Sequence, residues 1–364
     1  MRVTVGLDTA PLAGQHTGTE EVLEGLLYGL GQVGQPVVPL AHPGQRLDPS
    51  VPGLGLRPTP RPSHGAKWRW EATGLARAAA AADVDLVHVP YLAHPPRALP
   101  VPTVVTVHDL IPYLYPGYQR RLRAKIYFRR VARHVAYARR LVAVSESTWH
   151  DIAVVFPAWH SRVVVIPNGV HPAYFADPDP VEVQAARAEL HLAGGEPLLL
   201  YAGGYQPHKN VPLLTAAVEA ARRTTPGLRL VLVGATAAVA PDGPAGATPL
   251  PRVSRARLRA LYALATLVVC PSRYEGFGLP AAQGLAAGTP VLASDIPAHR
   301  EVLGDAACLL PVDAPERWAD AIGSLVRETR RREDLAGVGR ERAEAFRWEV
   351  AAGHYQALYR GEVS

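Results

Sequence analysis

Cysteine is nearly absent. The 364 residues contain two, Cys270 and Cys308, which excludes a disulfide framework, and both fall inside apolar runs that read as strands, where a free thiol is buried. Long hydrophobic runs are missing too: the longest candidate, Leu261 to Cys270, is far short of the roughly 18 uninterrupted apolar residues a membrane-crossing helix needs. No low-complexity tract occurs, because the 35 prolines and 32 glycines are spread between periodic segments, and no internal repeat suggests a solenoid. Lysine is scarce, at three of 38 basic residues, so a lysine here is not the chain's habitual surface cation. The formal charge of +6 points to anionic partners without choosing among nucleic acid, a membrane surface and phosphorylated ligands. Met1-Arg2 runs straight into the strand Val3 to Leu7 with no signal-peptide hydrophobic region, and with reduced thiols this gives an expected cytoplasmic location.

What the chain does contain is a rhythm of short β-rich runs separated by helical patterns. In the first half these are Val3 to Leu7, Leu86 to Val89, Thr103 to Val107, Leu141 to Val144 and Val163 to Ile166. In the second they are Leu198 to Ala202, Leu230 to Val233, Leu267 to Cys270, Pro290 to Ala293 and Cys308 to Leu310. Continuous apolar strands alternating with helices predict parallel sheets covered on both faces. Thr17 and Glu20 form a capping box ahead of a helix carrying Val22, Leu23, Leu26, Leu27, Leu30 and Val33, and a second helix begins at Ser254. The length exceeds one hydrophobic core, and the polar, proline-rich Asp177-Pro178-Asp179-Pro180 marks the expected break. Two doubly wound α/β domains, 1–177 and 178–345, follow, with ligands expected outside the carboxyl ends of the strands.

The strand Leu267 to Cys270 leads into Pro271-Ser272-Arg273-Tyr274-Glu275-Gly276-Phe277-Gly278-Leu279-Pro280, after which Ala281 to Ala287 reads as a helix closed by Gly288. Glycines here let backbone approach a ligand, and the helix start offers amides to an anion. A carboxylate at that place, Glu275, suits hydroxyls or developing positive charge on a sugar ring better than a phosphate.

Together with Ala287 to Ser294, Pro297-Ala298-His299-Arg300-Glu301, Val107 to Pro112, Val144 to Ser147, Ile166 to Val170 and Tyr201 to Asn210, this segment strongly resembles the family 4 glycosyltransferases of GT-B fold. The resemblance covers nearly the whole chain. It implies two Rossmann-like domains facing across a cleft, an acceptor-binding 1–177 and a nucleotide-sugar-binding 178–345, with 346–364 as a closing helix that packs back toward the first. It further implies a retaining hexosyl transfer from a nucleotide sugar that serves as co-substrate, GDP-mannose or a UDP-sugar, with mannose favoured by the His108-Asp109-Leu110-Ile111-Pro112 segment and with a glycan, lipid-linked or small-molecule acceptor. No metal or other cofactor is expected.

By resemblance, Glu275 lies by the sugar and the position eight residues on bonds the ribose; here that position is Gln283, a departure that keeps hydrogen bonding but loses charge. Lys209 meets the diphosphate. Gly204 stands where many relatives carry an arginine; Arg273 reads either as its replacement or as a surface charge. Gly276, Phe277, Gly278 and Leu279 complete the donor loop, and Gly18 stands for a glycine-rich first turn, Gly14 to Thr19. His108, expected opposite Glu275, contacts the sugar or steadies charge, and Asp109 orients it or the acceptor. Nine Arg or Lys residues between Gln119 and Arg140 read either as a solvated face or as a peripheral contact with the inner face of a membrane or a phosphorylated carrier; without interleaved aromatics they do not suggest nucleic acid. Alternatives are a nucleotide-sugar epimerase of the same fold and a non-catalytic nucleotide-sugar or glycan binder.

Overall fold

A computed structural model describes residues 3–12, 17–42, 46–48, 55–57, 64–119, 122–234 and 247–363. Its strands are β1 (Val5–Asp8), β2 (Val37–Leu40), β3 (Arg46–Asp48), β4 (Gly55–Arg57), β5 (Leu86–Val89), β6 (Thr103–Val107), β7 (Arg140–Ala143), β8 (Val163–Val165), β9 (Leu198–Ala202), β10 (Arg229–Val233), β11 (Ala247–Leu250), β12 (Leu267–Cys270), β13 (Val291–Ser294) and β14 (Ala307–Leu310). They form two six-stranded sheets, ordered β2-β1-β5-β6-β7-β8 and β11-β10-β9-β12-β13-β14, and a small β3-β4 hairpin. Every pairing in the two large sheets is parallel. Central strands such as β6 and β12 are buried along their whole length, as expected when helices cover both faces.

The chain divides into two compact units, residues 1–169 with 348–364 and residues 170–347. The sequence places the break eight residues later, after 177. Residues 170–177 belong to the second unit because they pack there: the Arg259 guanidinium donates to the Ala176 carbonyl at 2.9 and 3.1 Å, and the Tyr174 and Tyr262 rings meet edge to face. The Val170 amide donates to the Phe346 carbonyl at 2.6 Å, tying together the two ends of this unit.

In the first unit the helix Gly18–Gln32 opens with the expected capping box, Thr17 accepting from the Glu20 amide and Glu20 from the Thr17 amide. The helix Trp348–Val363 lies against it. Glycine makes that approach possible: a Cβ on Gly25 would stand 1.8 Å from Trp348 Nε1, and one on Gly169 2.3 Å from the same indole. Further out, Glu362 is buried between the Arg139 and Arg140 guanidiniums, which donate at 2.7 and 2.6 Å. His88 sits fully buried between Tyr359 at 2.7 Å and Thr106 at 2.8 Å, and burial pushes its imidazole down to about 3. Among the described residues no helix is long and apolar enough to cross a membrane.

Candidate functional site

The second sheet reverses its strand order between β9 and β12, and ligands of open parallel sheets bind at such a reversal, outside the carboxyl ends of the strands. Both loops that leave those two strand ends carry the residues singled out in the sequence. After β9 come Gly203, Gly204 and a short 3₁₀ turn, Pro207–Lys209. The turn ends at Asn210, which adopts a left-handed conformation, φ 52°, and whose side-chain Nδ2 donates to the Val312 carbonyl at 2.9 Å, fixing Lys209 at the mouth of the reversal. After β12 comes the Glu275 loop and then the helix Leu279–Ala286.

The two loops meet. Lys209 Nζ donates to Glu275 Oε1 at 2.7 Å, and Ser272 Oγ donates to the same oxygen at 2.6 Å. The pair is largely sheltered, the side chains being 17% and 13% exposed, so it is screened less than a surface pair. Burial pushes the Glu275 carboxyl up, but the Lys209 ammonium, His299 and the two hydrogen bonds together outweigh it and hold the group below the usual range. The pocket around the pair is lined by Tyr201, Cys270, Ser272, Gly278, Ala281 and His299, among others. Burial, with Glu275 nearby, pushes the Cys270 thiol up to about 12, so it stays protonated and is no nucleophile.

Gly278 precedes the helix with φ +87° and no side-chain cap on the helix start. A Cβ there would stand 2.9 Å from the His299 ring, so glycine is needed both for the conformation and for the space. Pro280 has no N–H and the Ala281 and Ala282 amides donate to the Gly278 carbonyl, so this uncapped end turns the Leu279 amide and the helix dipole toward an anion.

The sequence pattern gives His299 no role of its own. It is 1% exposed, and its Nδ1 is 2.8 Å from the Ser294 carbonyl. A carbonyl can only accept, so Nδ1 carries the proton and Nε2 presents a lone pair, which has no partner among the described residues. Burial lowers its pKa, against the pull of Glu275 and of the bond to the Ser294 carbonyl, which favours the neutral form. Its signal in the sequence was a histidine one helical turn past a strand end, a weak cue alone. Nor does the sequence single out Ser272, whose hydroxyl bonds Glu275.

Other expected donor residues do not line this pocket. Arg273 has an exposed side chain. Gln283 is 4% exposed, its Oε1 accepting from the Tyr262 hydroxyl at 3.2 Å. Phe277 is buried edge to face against Phe346, anchoring the loop; Gly276 is buried and Leu279 half-buried as the first helical residue. At Gly204, a Cβ would stand 2.3 Å from the Gln206 side-chain oxygen, so an arginine there would have to displace that amide. Among the described residues no group of three or more His, Cys, Asp or Glu side chains is placed to hold a metal.

The first unit is described by itself. His108 follows β6 and is half-buried, its Nε2 donating to the Pro90 carbonyl at 2.9 Å, which leaves Nδ1 as the acceptor; burial lowers its pKa. Asp109 Oδ1 accepts from the Ile111 amide at 3.0 Å and so shapes the turn behind His108. Gly18 is the first residue of its helix, and among the described residues no atom lies within 4 Å of a Cβ placed there. Residues 14–16 of the expected glycine-rich turn lie outside the described residues, as do Arg120 and Arg121 of the basic segment.

Comparison with known proteins gives two matches in tandem. Residues 16–174 match the model of Glycosyltransferase Family 4, and residues 182–342 match that of Glycosyl transferases group 1. The chain is 32% identical over 240 residues to D-inositol 3-phosphate glycosyltransferase of Segniliparus rotundus, covering 62% of this chain and 53% of that one; the match thus spans about half the length of that relative. It is 30% identical to alpha-maltose-1-phosphate synthase of Mycolicibacterium smegmatis, over 71% of this chain and 73% of that one. Sucrose-phosphate synthase from Thermosynechococcus elongatus superposes with a TM-score of 0.75 at 21% identity over 99% of both chains, a likeness of fold.

Proposed function

The chain belongs to glycosyltransferase family 4, and from that premise we propose that it moves a hexose from a nucleoside diphosphate sugar to a polyhydroxylated acceptor with retention of configuration and without a metal. The observation that carries this is the Lys209–Glu275 pair at the strand-order reversal of the second sheet. An incoming diphosphate competes for Lys209 and draws on the uncapped start of the helix Leu279–Ala286. Both donate to charge that grows as the leaving group departs, an effect whose loss costs a transfer enzyme about 100- to 1,000-fold for one donor. Both bonds to Glu275 fall on Oε1, which leaves Oε2 to accept from sugar hydroxyls. The acceptor oxygen then attacks from the side the diphosphate leaves.

GDP-mannose is the donor proposed from the His108 to Pro112 segment, with UDP-glucose as its competitor. The relatives' names, an inositol 3-phosphate glycosyltransferase and a maltose-1-phosphate synthase, support an acceptor that carries phosphate. Contact with an anionic bilayer is a separate proposal; it draws on Leu122 and Ile126, exposed on the otherwise basic helix Leu122–Val135. Its test is flotation with anionic vesicles, where no difference from neutral vesicles refutes it.

The main test incubates the protein with GDP-mannose, UDP-glucose or ADP-glucose, with and without inositol phosphate or glucose 1-phosphate, and follows nucleoside diphosphate release and product by mass. Acceptor-dependent release with a new glycoside supports the proposal. Altered sugar from donor alone would mean an epimerase, and binding without turnover across the panel would mean a binding protein.

A further inference from the structure

The pocket of the second unit holds one polar atom that the transfer chemistry above leaves unused, His299 Nε2. The ring is gripped from behind, where Nδ1 donates to the Ser294 carbonyl at 2.8 Å. The lone pair therefore sits on Nε2, which is buried and has no partner among the described residues. Folded proteins pair nearly all such atoms, so this one asks what is meant to meet it.

Its neighbours narrow the answer. The Cδ2–Nε2 edge of the ring lies against Gly278: a Cβ at that glycine would stand 2.9 Å from Cδ2 and 3.1 Å from Nε2. Any other residue at 278 would crowd the approach to the lone pair, quite apart from the backbone conformation. Lys209 and Glu275 line the same pocket. The space among these groups admits about one water-sized body. A whole sugar ring does not fit there, but one hydroxyl projecting from a ring does.

An atom that can only accept needs a donor. Phosphate oxygens are themselves acceptors, so the diphosphate suits Lys209 and the Leu279 amide and would set lone pair against lone pair at His299. A sugar hydroxyl donates. We propose that His299 is a specificity-determining residue of the donor site, its Nε2 accepting a hydrogen bond from a single hydroxyl of the hexose, a different one from the hydroxyl on Glu275. The assignment to a hexose depends on the reading under Proposed function. Its consequence is that the site selects a sugar with a free hydroxyl at that ring position.

The test is calorimetric titration of the full chain with GDP-mannose, UDP-glucose and the two nucleoside diphosphates. The tighter sugar nucleotide is then compared with analogues in which one hexose hydroxyl at a time is replaced by fluorine, which is of similar size and cannot donate. In the parent protein the analogue altered at the His299 position binds about five- to tenfold more weakly. His299→Asn keeps a donor for the Ser294 carbonyl and removes the Nε2 acceptor; His299→Leu removes both. Either variant binds that analogue and the unmodified sugar nucleotide equally, whereas the analogue altered at the Glu275 hydroxyl stays weak. Affinity for the nucleoside diphosphate alone keeps its parent value. Three results overturn the inference: no fluorinated position responds to the His299 variants, only the leucine variant responds, which makes the ring a prop for Ser294, or the nucleoside diphosphate weakens as well, which puts His299 on the phosphates. Discrimination through His299 without transfer to any acceptor would remove the transferase reading and leave the sugar contact. Transfer without that discrimination would do the reverse, and failure to bind any sugar nucleotide would remove both.

Discussion

At the scale of single residues, two side chains, Lys209 and Glu275, hold each other in place. Lys209 is the main charge lowering the Glu275 pKa, against burial. Replacing it with methionine leaves burial in control, so Lys209→Met raises the Glu275 pKa; a carboxyl-carbon NMR titration of parent and variant checks this, and an unshifted curve contradicts it. Much of this site was legible. Glu275 and Lys209 stood out because a lone carboxylate sat beside a phosphate-type helix start and a lysine sat in a chain that uses arginine. Arg273 and Gln283 could not be placed from sequence, because a loop's spacing does not say which side chain turns outward and which finds a buried partner such as Tyr262. His299 was missed because what marks it is an orphaned nitrogen, a property of three-dimensional surroundings.

At the scale of elements, glycine placement decides which helix contacts exist. Gly25→Ala drives a Cβ into the Trp348 indole and should cost about 1–3 kcal/mol, whereas Gly31→Ala, in open space on the same helix, should gain up to roughly 1 kcal/mol. Urea midpoints of the two variants check the opposite signs; a stabilised Gly25→Ala would refute the close contact. Ten strands and the capped first helix were readable from apolar runs and Thr17-Glu20. The two outer strands that were missed, β2 and β11, each contain a proline, Pro39 and Pro249, and each is a sheet edge. Proline lacks the ladder donor, is tolerated only at such an edge, and erases the strand pattern in the sequence.

His88 gives the buried face between β5 and the closing helix a pH signature. Its folded pKa, about 3, lies below the unfolded value of about 6.5. The unfolded chain therefore takes up a proton that the folded one refuses, and the stabilisation present above pH ~6.5 is lost as pH falls toward 3, by up to about 1.4 kcal/mol per unit. Asp8, raised to about 6 by burial, has the opposite sign, so the useful quantity is the difference between parent and His88→Gln. That stability gap should narrow by roughly 2 kcal/mol between pH 6.5 and 4.5; a constant gap would contradict the assignment.

At the scale of the whole molecule, two units with separate cores are joined where the chain crosses at Gly169–Val170 and at Arg347–Trp348. Because Trp348 is buried in the first unit at 1% exposure, Trp348→Ala should cost that unit about 3–5 kcal/mol. Hydrogen exchange should quicken in the helix Gly18–Gln32 while β9 and β12 keep their protection. The claim that these sheets serve sugar transfer is tested most directly by a crystal structure with an intact nucleoside diphosphate hexose. The expected result is a diphosphate oxygen about 3 Å from Lys209 Nζ and a hexose hydroxyl on the Glu275 carboxylate. A donor seated elsewhere, with Lys209 and Glu275 still bonded only to one another, would contradict it.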